Sequence, residues 1–505
     1  MRPTHALMAT AASVALAWPA TAAAAPDDAA ARIEALEAQV KALSAQISEL
    51  KAAMATPSAA PPPAAAAAAP AAPPLAVATA PKPSDVKVAL GGGRPSFTTN
   101  DGRFSARIRG VMQLDMAKYI QDDDLPPQVT ARDLNSGANF RRARFGVDGV
   151  LFGDFSYGIL LDLGSGGGAE DTGRIQDFWL QYDGLGATKL RIGAFAPNVG
   201  LADATSTNGM MLAERGAAAD LARGLSGGDF RVGVGLTTGG DRWLLAATAT
   251  GPLVSSFNAA ATSFNAPTFD EQQGLALRLA GTPLKGDGWL VHTGVNASVI
   301  TQPADLGASA TTRYAVQLRE RPELRVDGTR LVDTGAMDAD GVGAYGFELA
   351  FQKKSLMFQG EYFDFRVDRR NPAPGVSDPR FNGWYLEGGW VLTGEARRYN
   401  TASAAFDAPA IDHPFDIRTG DWGAWELAAR YSVLDLDHHA DSAVVADRVR
   451  GGEQEVWSVG VNWYLNPAIR FMLGVEDVSI KRRNAAGLPL DQDFQAVNLR
   501  SQFAF

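Results

Sequence analysis

Between Phe140 and Leu163 the chain reads FRRARFGVDGVLFGDFSYGILLDL. From Ala143 the odd positions are Ala143, Phe145, Val147, Gly149 and Leu151, and the even ones Arg142, Arg144, Gly146, Asp148 and Val150. After Gly153-Asp154, Phe155, Tyr157, Ile159, Leu161 and Leu163 alternate with Ser156, Gly158, Leu160 and Asp162. A period of two, apolar on one side and charged or small on the other, is a strand with two unlike faces. Two such strands joined by a tight turn are a hairpin.

The same period returns down the chain. Phe104, Ala106, Ile108, Gly110, Met112 and Leu114 alternate with Ser105, Arg107, Arg109, Val111, Gln113 and Asp115. Similar runs follow at 178–182, 189–195, 231–237, 243–250, 275–280, 289–298, 345–352, 356–365, 384–392, 425–432, 457–464 and 469–475. They amount to about sixteen segments, with Glu323–Val326 a marginal one, and no helical period of similar length lies among them. Aromatic residues sit near many segment ends (Tyr119, Tyr182, Trp243, Trp289, Tyr431, Trp463). Connections alternate between tight (Gly153-Asp154, Gly239–Arg242, Asn466-Pro467) and long and polar (Asp122–Asn139, Ala196–Asp229, Gly251–Gln273, Arg366–Phe381, Arg398–Gly423). Aromatic girdles, short turns on one side and long loops on the other are the marks of a membrane barrel. The expectation is an all-β, antiparallel up-and-down transmembrane barrel of about sixteen strands over 87–505, whose apolar face meets outer-membrane lipid. The last segment places Val497, Leu499, Phe503 and Phe505 on one phase and ends on the Phe505 carboxylate. Phe503 and Phe505 are the expected signal to the barrel-assembly machinery of a Gram-negative outer membrane.

The first eighty-odd residues follow other rules. Residues 1–25 read as a signal peptide, with Arg2, an apolar run Ala6–Ala17 and an Ala20-Thr21-Ala22 cleavage motif. Within 26–55, Ile33, Leu36, Val40, Leu43, Ile47, Leu50 and Met54 are spaced 3, 4, 3, 4, 3, 4, an a/d seam for a short coiled coil. Residues 56–86 are mostly Ala and Pro, an extended spacer reaching roughly 80–90 Å at ~3.1 Å per residue. The coil, expected in the periplasm, makes residues 32–54 a candidate contact to a cell-wall or periplasmic partner.

Composition removes several classes. The formal net charge of -10 argues against nucleic acid, which selects basic surfaces. After the N-terminus no apolar run approaches the ~20 residues of a membrane helix. The chain has no Cys, which suits passage through an oxidising compartment. His292, His413, His438 and His439 are the histidines beyond the signal, and none stands in a catalytic constellation, so the chain is expected not to be an enzyme. Asp435, Asp437, His438 and His439, and Asp122–Asp124, have metal-ligand side chains but lie at loop bases, where solvated turns are the commoner reading. No metal or cofactor is expected.

Several blocks resemble the phosphate-selective porin O and P family: FRRARFGVDGVLFGDFSY (140–157), ATSTNGMMLAERG (204–216), LRERPELRV (318–326), LEGGWVLTGEARRYN (386–400), GAWELAARYSVLDLD (423–437) and GVNWYLNPAIRFMLGVED (460–477). The resemblance covers about 95–505 and implies a trimeric sixteen-stranded outer-membrane barrel that passes anions such as phosphate. A trimer conflicts with the Ile/Val-at-a, Leu-at-d pattern of the coil, which favours two strands; the barrel interface is the larger. The resemblance also implies that 196–229 folds into the lumen as a constriction carrying Glu214, Arg215 and Arg223. This loop has no Lys and includes Asp203 and Asp220. Phosphate-specific members have a constriction rich in Lys and Arg, so passage of small anions or of solutes in general is expected ahead of phosphate selectivity. A barrel-anchored tether is the structural alternative.

On the phase opposite the lipid lie Arg107, Arg109, Arg142, Arg144, Lys189, Arg191, Arg278, Arg430, Arg470 and Arg500, the expected pore-lining, anion-contacting cations. The planar guanidinium fork suits oxyanions. Asp115, Asp148, Asp162, Glu348, Glu426 and Glu476 share that phase, and ion pairing within the wall is the competing role for each Arg.

Overall fold

The computed structural model describes residues 86–91, 94–121, 133–164, 174–225, 231–254 and 270–505, together with Lys41, which is helical and exposed. The chain divides into two units, Met1–Ala80 and Pro81–Phe505. The signal segment, the rest of the heptad segment, the spacer as far as Asp85, and Asp122–Asp124 lie outside the described residues.

Sixteen antiparallel strands form the second unit's wall. The first eight are β1 (Ser105–Gln121), β2 (Gly137–Leu151), β3 (Phe155–Asp162), β4 (Arg174–Leu185), β5 (Thr188–Phe195), β6 (Arg231–Gly239), β7 (Trp243–Leu253) and β8 (Gln273–Gly286). The rest are β9 (Trp289–Gln302), β10 (Met337–Lys353), β11 (Leu356–Arg369), β12 (Arg380–Val391), β13 (Ala424–His438), β14 (Val449–Tyr464), β15 (Ile469–Lys481) and β16 (Gln492–Ala504). Each pairs with its neighbour in sequence, and β16 returns to β1 from Phe494↔Gln121 to Ala504↔Val111. Closure pairs the backbone groups that an open sheet edge would leave facing hydrocarbon. A hairpin of Val86–Gly91 and Arg94–Thr99 joins the start of β1 through Ser96↔Arg107 and Thr98↔Ser105.

The two faces are inverted relative to a water-soluble protein. Phe145, Phe178, Ile192, Val234, Phe347, Phe358, Val459 and Leu473 are exposed on the outside, while Arg278, Glu348, Glu426 and Arg500 are at most 1% exposed inside. A continuous exposed apolar band of this extent requires lipid as its partner.

Most connections follow the expected alternation. Turns 152–154, 186–187, 240–242, 287–288, 354–355 and 465–468 lie at one end, and the long segments between β1 and β2, β3 and β4, and onward at the other. One expectation is corrected. Length and polarity group Arg398–Gly423 with the outer loops, yet it joins β12 to β13 and therefore sits at the short-turn end. Glu323–Val326 is likewise not a strand. It belongs to the β9–β10 loop, and Glu323 turns the chain at φ 63°.

Register slips at one informative place. Gln113 pairs with Arg142 and Leu114 with Phe140, so Arg141 is the extra residue of a β-bulge. Phe140 thus stays on the lipid face although its parity is opposite to that of Phe145, and Arg141 and Arg142 both reach ion partners inside.

Candidate functional site: the barrel lumen

Three segments enter the lumen. The first is the β5–β6 loop, described over 196–225, with α1 (Leu201–Ala204) and α2 (Ala217–Leu225). Glu361 of β11 receives the α1 N-terminus, accepting from Leu201 N at 2.7 Å and Ala202 N at 2.9 Å. Helix α2 buries Ala217, Ala218, Ala219, Leu221, Ala222 and Leu225. It can approach β12 because that strand presents Gly383, where a Cβ would stand 2.6 Å from Ala218 Cβ. Small residues on both sides let helix and wall meet.

Glu214 fixes this loop to the wall. Its carboxylate lies 2.7 Å from Arg141 Nε, 2.6 Å from Arg500 Nη2, and 3.8 Å from both Arg142 Nη2 and Arg325 Nε. Arg215 turns back on its own loop, donating to Ala202 O at 2.8 Å and Thr205 O at 3.2 Å. Arg223 pairs with Asp203 at 2.6 Å. All three expected constriction-loop residues are thus inside the barrel, and their charges hold the loop's shape.

The second insert is the β9–β10 loop, 303–336. Glu323 accepts from Arg430 and Ser432, and Arg325 pairs with Asp220 of α2. Burial lowers the Arg325 pKa to about 9, with Arg141 nearby adding to the shift. Asp327 receives Asn135 N at 2.8 Å from the β1–β2 loop.

The third insert comes from the other end. Within 392–423, strands Arg397–Asn400 and Ala405–Pro409 form a hairpin. Arg397 makes a fork to Glu426 at 2.7 and 2.8 Å and also donates to Gly209 O. Ser403 O and Ala404 O accept from Arg278, and Tyr399 Oη lies 2.9 Å from His292 Nδ1. Ser206 Oγ donates to Asp407 at 2.9 Å, so the first and third inserts touch.

The ten expected pore cations separate into two groups. Arg142, Arg278, Arg430, Arg470 and Arg500 are buried, which corrects their reading as solute contacts. Arg278 forks to Glu348 at 2.8 and 2.9 Å, Arg500 to Asp115 at 2.6 Å, and Arg430 reaches Glu387 at 3.0 Å. Arg470 donates to Met210 O, and Arg142 to Gln113 at 2.6 Å. The physical reason is the inserts, which cover the wall where these residues stand. Arg144 is largely covered too, 2.7 Å from Asp162.

The others face open lumen near the short-turn end. Arg107, Arg109 and Lys189 have side chains 57%, 30% and 46% exposed, against 12%, 17% and 25% for their partners Asp148, Asp177 and Asp183. Arg191 is more sheltered, lying over the Trp179 ring at 4.1 Å. Arg141, Arg325 and Arg397 were not among the expected site residues. The first is hidden by the bulge, Arg325 falls in the marginal segment Glu323–Val326, which is a loop here, and Arg397 lies outside every strand period read from the sequence. Out-of-phase Phe140 was the available signal for Arg141.

The family model described as "Phosphate-selective porin O and P" matches residues 113–505. The chain belongs to this family. This porin is 26% identical over 449 residues to Porin O of Pseudomonas aeruginosa, covering 84% of this chain and 93% of that one. It is 27% identical over 386 residues to an uncharacterized protein of Caulobacter vibrioides, covering 75% and 69%. Among solved structures it is similar to the outer-membrane channel DcaP of Acinetobacter baumannii (TM-score 0.45, 13% identity, 81% of this chain and 99% of that one). It is also similar to an anion-selective porin from Comamonas acidovorans (TM-score 0.43, 10% identity, 80% and 100%). Family membership makes this chain a channel of the outer membrane. The short-turn end is then periplasmic, as in barrels of this kind.

Proposed function

We propose that this porin passes small anions, oxyanions such as phosphate among them, and that it assembles as a homotrimer, the state the family resemblance implies. The carrying observation is the tilt of charge at the open wall. In each of the pairs Arg107–Asp148, Arg109–Asp177 and Lys189–Asp183 the cation is the more exposed member. A solute therefore meets guanidinium and ammonium tips before carboxylates, and a narrow, low-dielectric pore strengthens that field. The carboxylates beneath and the lack of Lys in 196–229 favour modest selectivity over tight phosphate binding.

The test is the reversal potential of purified protein in planar bilayers under a KCl gradient, repeated with added phosphate. An anion-selective potential is expected, shifting towards zero in an R107Q/R109Q/K189Q variant. Block by low phosphate would identify an oxyanion site as well. A cation-selective pore would overturn the proposal, and a non-selective one indifferent to the triple substitution would leave a general diffusion channel.

A further inference from the structure

The outer rim of the barrel holds a cluster of side chains that conduction does not use. His438 ends β13, and His439 follows it with φ 46°. Consecutive strand residues point to opposite faces. The left-handed turn at His439 breaks that alternation, and the two imidazoles stack with centroids 3.9 Å apart and planes 25° from parallel. Asp447, at the end of the short 3-10 turn Val445–Asp447 in the β13–β14 loop, meets them. Its Oδ2 lies 2.6 Å from His439 Nδ1. Its Oδ1 accepts from both the backbone N and the Oγ of Ser377, each at 2.7 Å, and Ser377 Oγ is 3.0 Å from His438 Nε2. One ligand atom from each of His438, His439 and Asp447 falls within 4.8 Å of the other two.

We propose that His438, His439 and Asp447 bind a divalent transition ion of the Zn²⁺ class at the outer mouth. Two imidazole nitrogens and one carboxylate oxygen are the donors such ions select, whereas Ca²⁺ and Mg²⁺ prefer all-oxygen sets. Tetrahedral donors at ~2.0–2.1 Å from the ion stand ~3.3 Å apart, so side-chain rotation draws in the separations that now reach up to 4.8 Å and opens the 2.6 Å contact between His439 and Asp447. The surroundings fit this division of labour. Ser377 holds Oδ1 in place, and the nearby Arg369 Nη1 lies 3.8 Å from that same oxygen, leaving Oδ2 for the ion. Arg369 is itself occupied with Ala446 O at 3.1 Å. Ser377 belongs to the β11–β12 loop and already ties it to Asp447 of the β13–β14 loop, so an ion that fixes the Asp447 carboxylate steadies both loops through that contact.

The experiment titrates ZnCl₂ into the full-length porin in detergent micelles by isothermal calorimetry, with hydrogen exchange followed at 370–379 and 439–448. The expected result is one ion per chain, with affinity falling by about tenfold or more in H438Q, H439N and D447N. Asparagine at 439 tolerates the left-handed backbone, which separates loss of the ligand from loss of the turn. Zinc should slow exchange in both loops of the unsubstituted protein and in neither loop of the variants. Unchanged affinity in all three variants, binding that is lost with H413Q instead, or no binding at all would overturn the site.

Discussion

Glu348 shows how the charges inside this barrel are used. Its carboxylate takes the Arg278 fork at 2.8 and 2.9 Å, Asn296 Nδ2 at 2.8 Å and His292 Nε2 at 3.0 Å, and both ionic side chains are sealed from solvent. Breaking a buried pair from one side leaves an uncompensated charge, at a cost of about 3–5 kcal/mol. E348A should therefore lower the temperature at which the barrel loses its compact electrophoretic form, while an R278M/E348M double variant recovers most of the loss. Equal stability in E348A and the unsubstituted protein would refute a structural role for the pair. From the sequence, Arg278 and Glu348 were assignable to the inner face, since alternation alone does that. Whether they face water or each other depends on the inserts, which no strand period encodes. Arg141 failed for a different reason. A single bulge shifts the phase, and strict counting sends its side chain to the lipid.

At the scale of elements, the β12–β13 connection departs most from a plain barrel. A turn of two or three residues would close that end, yet 392–423 sends a hairpin up into the lumen, where Tyr399 and Phe406 pack edge to face at 5.0 Å against the His292 wall. Its length made it resemble an outer loop in the sequence, because long and polar is how outer loops read. Only the parity of the strands before it places it at the periplasmic end. Deleting 399–406 while keeping Arg397 and Glu426 paired should raise single-channel conductance in planar bilayers. Unchanged conductance would mean that the narrowest part of the path lies elsewhere, along 196–225 or 303–336. The last strand carries a second element-level prediction. Phe505 exchanges backbone hydrogen bonds with Gly110 at 2.9 Å, and its ring occupies the space a Gly110 Cβ would take. F505A keeps the ladder and removes the ring. If the terminal aromatic is what the assembly machinery reads, F505A should reduce barrel in the outer membrane, with unfolded chain appearing in the periplasm. Equal membrane yield would mean that closure of β16 onto β1 suffices.

The molecule as a whole joins a closed barrel to an N-terminal segment of unlike chemistry. Sequence periodicity was enough for the barrel because lipid on one side and water on the other impose the same two-residue rule on every strand. The seam from Ile33 to Met54 obeys a helical rule instead, and three heptads are too short to hold an isolated coil firmly. Such a coil would depend on copies being brought together by something else, and the proposed trimeric barrel would supply that at a fixed high local concentration. Two roles then make different demands. As a tether, the segment matters to the cell envelope and not to the pore. As an assembly aid, it matters to trimer yield. Deleting Asp27–Pro83 behind an intact signal should leave the single-channel conductance unchanged, because the segment precedes the strands that build the lumen. A tether predicts in addition that the envelope becomes leaky or detaches while trimers persist on native gels. Loss of trimers with a normal envelope would assign the coil to assembly. A changed conductance would place the segment in the permeation path, contrary to both.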